Sequence, residues 1–329
     1  MKALALFSGG LDSLLAIKII QDLGIEVLAL HFNIGFGSKS DKSEILRQRL
    51  NQVGTELEII DIRRQFFDEI LFQPKFGYGK YFNPCIDCHG NMFAHALKLL
   101  ESKQANFVIS GEVLGQRPKS QRAEALGQVE KLSTEKQSGS AGLIVRPLSA
   151  KLLPPTIPEQ RGWIPREKLL DISGRGRNRQ LELVQQYGIE YYERPGGGCL
   201  LTETSIANKL KDLQSHREIV FEDMELVKFG RYMILPNGAR CVIARNEEEN
   251  QKLNFPHPKM SPIELLDCIG PLGLVESNAS LEDKNLAISL TLLYGKTQPN
   301  KPYKVCFEGK EIESFAFESK EKAQKFLLQ

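Results

Sequence analysis

Apolar residues in the first 110 positions fall into short runs separated by longer amphipathic stretches. Leu4 to Phe7 reads as a strand. Leu11, Leu14, Leu15 and Ile17 to Ile20 then recur at helical spacing, predicting a helix over about Asp12 to Leu23 that Gly24 ends. Glu26 to Phe32 is a second strand, about Lys42 to Val53 a helix closed by Gly54, Leu57 to Ile60 a third strand, and Arg63 to Leu71 another helix. A loop rich in Gly, Tyr, Asn and Pro (Gln73 to Pro84) leads to a helix over about Asp87 to Lys103 and a fourth strand, Phe107 to Ser110. Apolar strands alternating with helices predict an α/β fold, a parallel sheet with helices on both faces. Ligands of such sheets bind beyond the carboxyl ends of the strands.

Beyond the fourth strand the pattern weakens. Gln128 to Gly142 turns polar and small and reads as a loop or insertion, and Arg146 to Pro155 is too proline-rich for a regular element. Arg161 to Gln180 carries Arg161, Arg166, Lys168, Arg175, Arg177 and Arg179 against only Glu167 and Asp171. A linker helix, Ser205 to Leu213, precedes a second unit. Its strand-like segments are Ile219 to Phe229, Tyr232 to Leu235 and Arg240 to Ala244, with a Pro236-Asn237-Gly238 turn. Two further strand-like runs lie near Ile288 and Val305, before a charged final helix. The expected division is residues 1–205, an α/β domain, and residues 206–329, a smaller α+β C-terminal domain.

Bulk composition narrows the class. At 329 residues the chain is long for one core. It is 41% hydrophobic and 26% charged with net charge +2, and no apolar run approaches the roughly 20 residues that span a bilayer. The first residues enter a strand with no secretory pattern, so a cytoplasmic protein without a membrane partner is expected. A net charge of +2 neither demands nor excludes nucleic acid. Six unevenly spaced cysteines do not make a disulfide framework; metal ligands, redox residues or plain core are the readings left.

The strongest chemical signal is Ser8-Gly9-Gly10-Leu11-Asp12-Ser13, directly after the first strand. Strand, glycine loop and helix start together make a phosphate cradle. The glycines admit an anion to the backbone, and the helix N-terminus offers free N–H groups and a favourable dipole. Ser8 and Ser13 add hydroxyl donors, and Asp12 is a candidate ligand for magnesium. The loop lacks the Gly-Lys-Ser/Thr of a Walker loop and the spacing of Gly-x-Gly-x-x-Gly. It resembles the SGGxDS loop of the ATP-pyrophosphatase (PP-loop) family, with its adenine nucleotide alpha hydrolase-like fold. That resemblance implies ATP cleaved to AMP and pyrophosphate while a substrate is adenylated, with Ser8, Gly9, Gly10, Asp12 and Ser13 holding the nucleotide.

Asn83-Pro84-Cys85-Ile86-Asp87-Cys88-His89 is the second signal. A Cys-x-x-Cys at a loop-to-helix junction favours thiolates near the helix N-terminus, suited to metal binding or nucleophilic sulfur. A third cysteine, Cys199, follows Arg194-Pro195-Gly196-Gly197-Gly198. Cys85, Cys88 and Cys199 fit a 4Fe-4S cluster with one open iron, a zinc site completed by His89 or His95, a persulfide-and-resolving pair, or packing. Cys241, Cys268 and Cys306 lie in apolar surroundings and read as core. The Asn-Pro-Cys-x-x-Cys-His segment resembles Asn-Pro-x-x-x-Cys-Asn of bacterial tRNA 2-thiouridylases, with Cys88 on that family's cysteine and Cys199 a second. Ser110-Gly111-Glu112-Val113-Leu114-Gly115-Gln116 and on to Gln121 resembles a segment beside the nucleotide in tRNA 4-thiouridine synthetases. It implies Gly111, Glu112 and Gln116 as ATP-site residues. The cysteine trio is similar to that of cluster-dependent tRNA thiolases.

The resemblance covers roughly residues 1 to 205. Nothing like the RNA-binding THUMP region precedes Ser8 in this chain, a departure from 4-thiouridine synthetases. Phe229-Gly230-Arg231-Tyr232 and Ala244 to Asn250 instead look like the C-terminal domain of NFACT-type proteins, a candidate RNA-binding module. Together these resemblances imply an ATP-dependent tRNA sulfurtransferase. It would adenylate a uridine carbonyl and then insert sulfur from a cysteine persulfide or cluster-bound sulfide, with Cys88, Cys199, Cys85 and Asp12 catalytic. The partners expected are tRNA and a sulfur donor such as a cysteine desulfurase, with the basic Arg161 to Arg179 stretch tracking tRNA phosphates. A PP-loop ligase or sulfur-insertion enzyme acting on a small molecule is an alternative, as is a non-catalytic ATP- and RNA-binding factor.

Overall fold

The computed structural model describes residues 1–135, 139–193 and 198–328 and divides into two compact units, Met1–Thr202 and Glu203–Gln329. The first unit runs β1 (Lys2–Leu6), α1 (Leu11–Gln21), β2 (Glu26–Asn33), α2 (Ser43–Asn51), β3 (Glu56–Asp61), α3 (Arg63–Phe66), α4 (Cys85–Lys98), β4 (Phe107–Ser110), α5 (Ala123–Thr134), β5 (Ile144–Val145), α6 (Ile157–Gln160) and α7 (Asn178–Tyr187). All strand pairs are parallel, in the order β3-β2-β1-β4-β5.

The sheet is covered on both faces because both parities of its central strands are apolar. Ala3, Ala5 and Phe7 face one core together with Val27, Ala29, Phe107 and Ile109, against Leu14 and Ile17 of α1 and Leu46 and Leu50 of α2. Leu4, Leu30 and Val108, one residue out of phase, are equally buried. Strand order winds outward from β1 through β2 to β3, then resumes with β4 on the other side of β1. Strand order therefore reverses between β1 and β4, the switch point beyond whose carboxyl ends sheets of this kind bind ligands.

Several boundaries differ from the sequence reading. Gln128 to Thr134 belongs to α5, whose buried Ala125, Leu126 and Val129 pack on α4, so the polar positions there are a helix's outer face. Lys136 to Ser138 lie outside the described residues. The Arg63 helix widens into a π turn over Phe67–Leu71, and α4 stops at Lys98, short of Lys103.

The second unit contains α8 (Thr204–His216), α9 (Asp223–Lys228), β6 (Arg231–Ile234), β7 (Arg240–Ile243), α10 (Glu247–Leu253), β8 (Met260–Leu265), β9 (Gly273–Glu276), α11 (Leu281–Leu293), β10 (Pro302–Phe307), β11 (Lys310–Phe315) and the short α12 (Lys320–Ala323). Its strands form an antiparallel sheet in the order β11-β10-β8-β9-β7-β6. The run around Ile288 is a helix. Ser280 caps it by accepting from the Asp283 N–H at 3.1 Å, and a long apolar run is ambiguous between strand and buried helix until its cap is seen. Ile219 to Phe229 likewise holds α9. Asp223 is wholly buried, accepting from the Val220 N–H at 2.8 Å and from both Arg217 Nη atoms at 2.7 and 2.8 Å. Among the described residues no helix is long and apolar enough to cross a membrane.

Candidate active site at the switch point of the sheet

The Ser8 to Ser13 loop leaves β1 at the crevice. Gly9 has φ +83°, a conformation that costs glycine nothing, and Gly10 is the N-cap of α1. The Gly10 N–H donates to Ser8 Oγ at 3.4 Å, and Ser13 Oγ donates to the Gly10 carbonyl at 2.8 Å. Gly111, just past β4, packs directly on the loop: a Cβ there would stand 2.4 Å from Asp12 C and Ser13 N. The two predicted nucleotide segments thus meet across the switch point.

The back of the loop is fastened by residues that sequence reasoning missed. The Gly9 carbonyl accepts from Arg49 Nη1 at 3.2 Å and from the Glu193 N–H at 3.0 Å. The Glu193 carboxylate joins Lys42 at 2.8 Å and Arg49 at 3.4 Å. Burial alone would raise its pKa, but those two cations outweigh it and hold the carboxyl below its ordinary value.

Asp12 opens the first turn of α1. Its Oδ2 accepts from Gln116 Nε2 at 2.6 Å and faces Arg177 Nη2 at 3.7 Å. Gln180 Nε2 in turn donates to Gln116 Oε1 at 2.9 Å. Asp12 Oδ1 is buried without a hydrogen-bond partner. An orphaned carboxylate oxygen at a loop built for phosphates is the donor set a hard cation such as magnesium takes. Ser8, Gly9, Gly10, Asp12, Ser13, Gly111 and Gln116 are therefore brought together.

Glu112 points elsewhere. It is 5% exposed, with Oε1 accepting from His89 Nδ1 and Oε2 from Arg146 Nε, both at 2.9 Å. Desolvation pushes its pKa up, yet the Arg146 charge and the His89 hydrogen bond win and hold it at about 2. The carboxylate locks α4 to the end of β4.

Cys85 is the first residue of α4, and Cys88 lies one turn on, 7% exposed. Cys199 is half-buried in a tight turn, its carbonyl accepting from the Thr202 N–H at 2.9 Å and Thr202 Oγ1 at 2.7 Å. The three are electrostatic neighbours. Burial raises the Cys88 thiol far above its ordinary value, and negative charge on Cys199 or Cys85 would raise it further. Burial pushes Cys199 up to about 11. Cys85 is also raised by burial, partly offset by a hydrogen bond from Asn83 and the charges of Arg117 and Lys119.

Among the described residues no three of His, Cys, Asp and Glu form a group that could hold a metal ion, so the trio as arranged does not fit the expected 4Fe-4S cluster. Nor does it fit zinc, since His89 is bonded to Glu112 and His95 to Gln65 at 3.4 Å. Arg194 to Gly197 lie outside the described residues. Cys241 is core, while Cys268 and Cys306 are only partly buried.

Residues 2–84 match the family model Arginosuccinate synthase N-terminal HUP domain. The first unit has a HUP-type fold. Residues 230–326 match the model NFACT protein RNA binding domain. A 7-cyano-7-deazaguanine synthase of Sulfurovum sp. is 38% identical over 69 residues, 21% of this chain and 31% of that protein. A tRNA-specific 2-thiouridylase of Petrotoga mobilis is 30% identical over 130 residues, 34% of this chain and 35% of that protein. The matches span about a third of the length of these curated relatives. Among solved structures, a 4-thiouridine synthetase–RNA complex with bound ATP aligns at 20% identity and TM-score 0.40, covering 69% of this chain and 52% of that one.

In the HUP unit the basic stretch does not act as one surface. Arg166 is spent internally, on Glu159 at 2.5 Å and the Leu153 carbonyl at 2.8 Å. Arg161 lies over the Trp163 ring and Arg179 pairs with Glu182 at 3.0 Å. Arg177 turns in to Asp12, and Arg175 is exposed. The signal for Arg177 was present as Gly174-Arg175-Gly176-Arg177 before α7, a glycine-rich basic turn at a helix start.

Proposed function

We propose that this chain is an ATP-dependent tRNA sulfurtransferase. The observation that carries the reading is the continuity of one segment: Gln116 binds Asp12 of the phosphate loop, and Arg117 and Lys119 act on Cys85. The likeness of part of the chain to a tRNA-specific 2-thiouridylase, and of residues 230–326 to an RNA binding domain, supports tRNA as the acceptor.

A uridine carbonyl oxygen is a poor leaving group. Transfer of the adenylyl group of ATP to that oxygen breaks the α–β phosphoanhydride bond and releases pyrophosphate. The amides of Gly9, Gly10 and the α1 N-terminus would take up the charge that develops there. Asp12 Oδ1, with Ser8 and Ser13 nearby, would hold magnesium, which neutralises phosphate charge. Sulfur, supplied as a persulfide on one cysteine of the trio by a donor such as a cysteine desulfurase, attacks the activated carbon and AMP leaves. Attack of a second cysteine on the first cysteine's own Sγ breaks its bond to the transferred sulfur, frees the thiolated base and closes a disulfide, which an external thiol reduces. Cys199, which follows three glycines, is assigned the persulfide, and Cys88 or Cys85 the resolving role.

Loss of a thiouridine from bulk tRNA in a deletion strain, read by nucleoside mass spectrometry, is the expected result; an unchanged nucleoside profile overturns the reading. The similarity to a 7-cyano-7-deazaguanine synthase favours, as a second reading, adenylation of a small molecule. AMP release that does not depend on added tRNA would select it.

A further inference from the structure

Two arginines from distant parts of the chain are delivered to one place by paired glycine turns. Leu114 and Ser173 form a parallel bridge, and the Gly174 N–H donates to the Leu114 carbonyl at 2.7 Å. The next residue on each side is a glycine in the left-handed region, Gly115 at φ +77° and Gly174 at φ +81°. They are packed so closely that a Cβ on Gly115 would lie 3.4 Å from the Gly174 nitrogen. The two runs are therefore packed side by side at Leu114–Gly115 and Ser173–Gly174. Arg117 leaves on one and Arg175 on the other, both exposed. Among the described residues neither is paired with a carboxylate, in contrast to Arg166, Arg177 and Arg179 of the same basic region.

Position gives the pair its meaning. Behind it, Gln116 holds Asp12 at 2.6 Å. Beside it, Lys119 packs its Cγ within 3.3 Å of a Cβ built on Gly79, whose N–H donates to the Asn83 carbonyl at 2.7 Å, two residues before Cys85. Arg117 thus stands between the phosphate loop and the loop that carries Cys85, and Arg175 lies two residues beyond the bridge to its segment. Exposed guanidinium groups with no partner in the fold suit an anion from outside it, and their planar forks match phosphate oxygens.

We infer that Arg117 and Arg175 form a clamp for a backbone phosphodiester of the RNA acceptor, next to the nucleotide presented between Asp12 and Cys85. The inference rests on the tRNA reading above and adds to it which cations grip the strand. Arg177, turned to Asp12, is not part of the clamp.

The test is the salt dependence of binding, measured with the full chain and bulk tRNA from a strain lacking the gene. Each phosphate contact contributes about 0.7 to 0.9 to the slope of log affinity against log salt. Because the pair grips one phosphodiester, the double Gln variant should flatten the slope by about 0.7 to 0.9, and Arg117→Gln and Arg175→Gln singly by part of that. Arg117→Lys and Arg175→Lys should restore it, since a point charge suffices, and ATP affinity by calorimetry should stay at the wild-type value. Unchanged slopes in both Gln variants overturn the clamp while leaving tRNA binding by the wild type intact. A loss of ATP affinity in either variant also overturns it, assigning the arginines to the triphosphate. If the wild type itself shows no salt-dependent affinity for tRNA, the tRNA reading fails and the clamp falls with it.

Discussion

Gly111→Ala isolates the contact on which the candidate site is built. The Cβ would stand 2.4 Å from Asp12 C and Ser13 N and 2.5 Å from the Asp12 carbonyl oxygen, all backbone atoms. Ordinary carbon contacts lie at about 3.5–4.0 Å, so the start of α1 must retreat by about 1 Å. Overpacking of this kind costs about 1–3 kcal/mol of stability. Function should suffer more, because a displacement of about 1 Å in a reacting constellation costs about 100-fold. The two effects separate experimentally: thermal unfolding gives the first, and ATP affinity with pyrophosphate release, measured well below the melting temperature, gives the second. Gly127→Ala is the control. Its Cβ meets nothing within 4 Å, and in the interior of α5 alanine is favoured over glycine by about 1 kcal/mol, so that variant should be slightly more stable and fully active. Wild-type ATP affinity and pyrophosphate release in Gly111→Ala would refute the close approach of the two loops as a requirement of the site.

Asp12→Asn keeps the acceptor for Gln116 and removes only charge, so stability should change little while pyrophosphate release falls by about 100-fold or more; a stability loss matching the activity loss would make Asp12 structural. The Glu112 carboxyl sits at about 2 against an ordinary 4.5, so its ionised form contributes about 3 kcal/mol above pH 4.5 that is lost as pH falls from 4.5 towards 2. Denaturant titrations of wild type and Glu112→Gln should accordingly converge between pH 6 and pH 2.5; a constant gap would show that the Arg146 and His89 contacts do not favour the charged form. Cys88 and Cys199 are protonated at neutral pH, so both should alkylate with iodoacetamide more slowly than free cysteine at pH 7.5, with the Cys199 rate still rising towards pH 10; fast labelling of either at pH 7 contradicts the burial that raises them.

How far sequence reasoning reached depends on whether a residue's job is set by its neighbours in the chain or by its neighbours in space. The Ser8 to Ser13 loop was legible because strand end, glycine conformation and helix N-cap all lie within six consecutive residues, and so were the four strands before it had to be closed by anything distant. Glu112 shows the boundary: its residue type and segment pointed to the crevice, but Arg146 and His89, from β5's end and α4, decide which way the carboxylate faces. Arg49, Arg177, Gln180 and Glu193 were invisible for the same reason, since each reaches the loop from a separate element. In the second unit an apolar run was mistaken for a strand at Ile288 because periodicity without its Ser280 cap does not separate a buried helix from a strand. The basic stretch is the instructive case. Its composition suggested one surface for phosphates, whereas the fold spends Arg166 on Glu159, aims Arg177 at Asp12 and leaves Arg175 exposed, on a run that bridges the segment of Leu114. Charge along a sequence counts cations; which of them are paired within the fold is decided by neighbours in space.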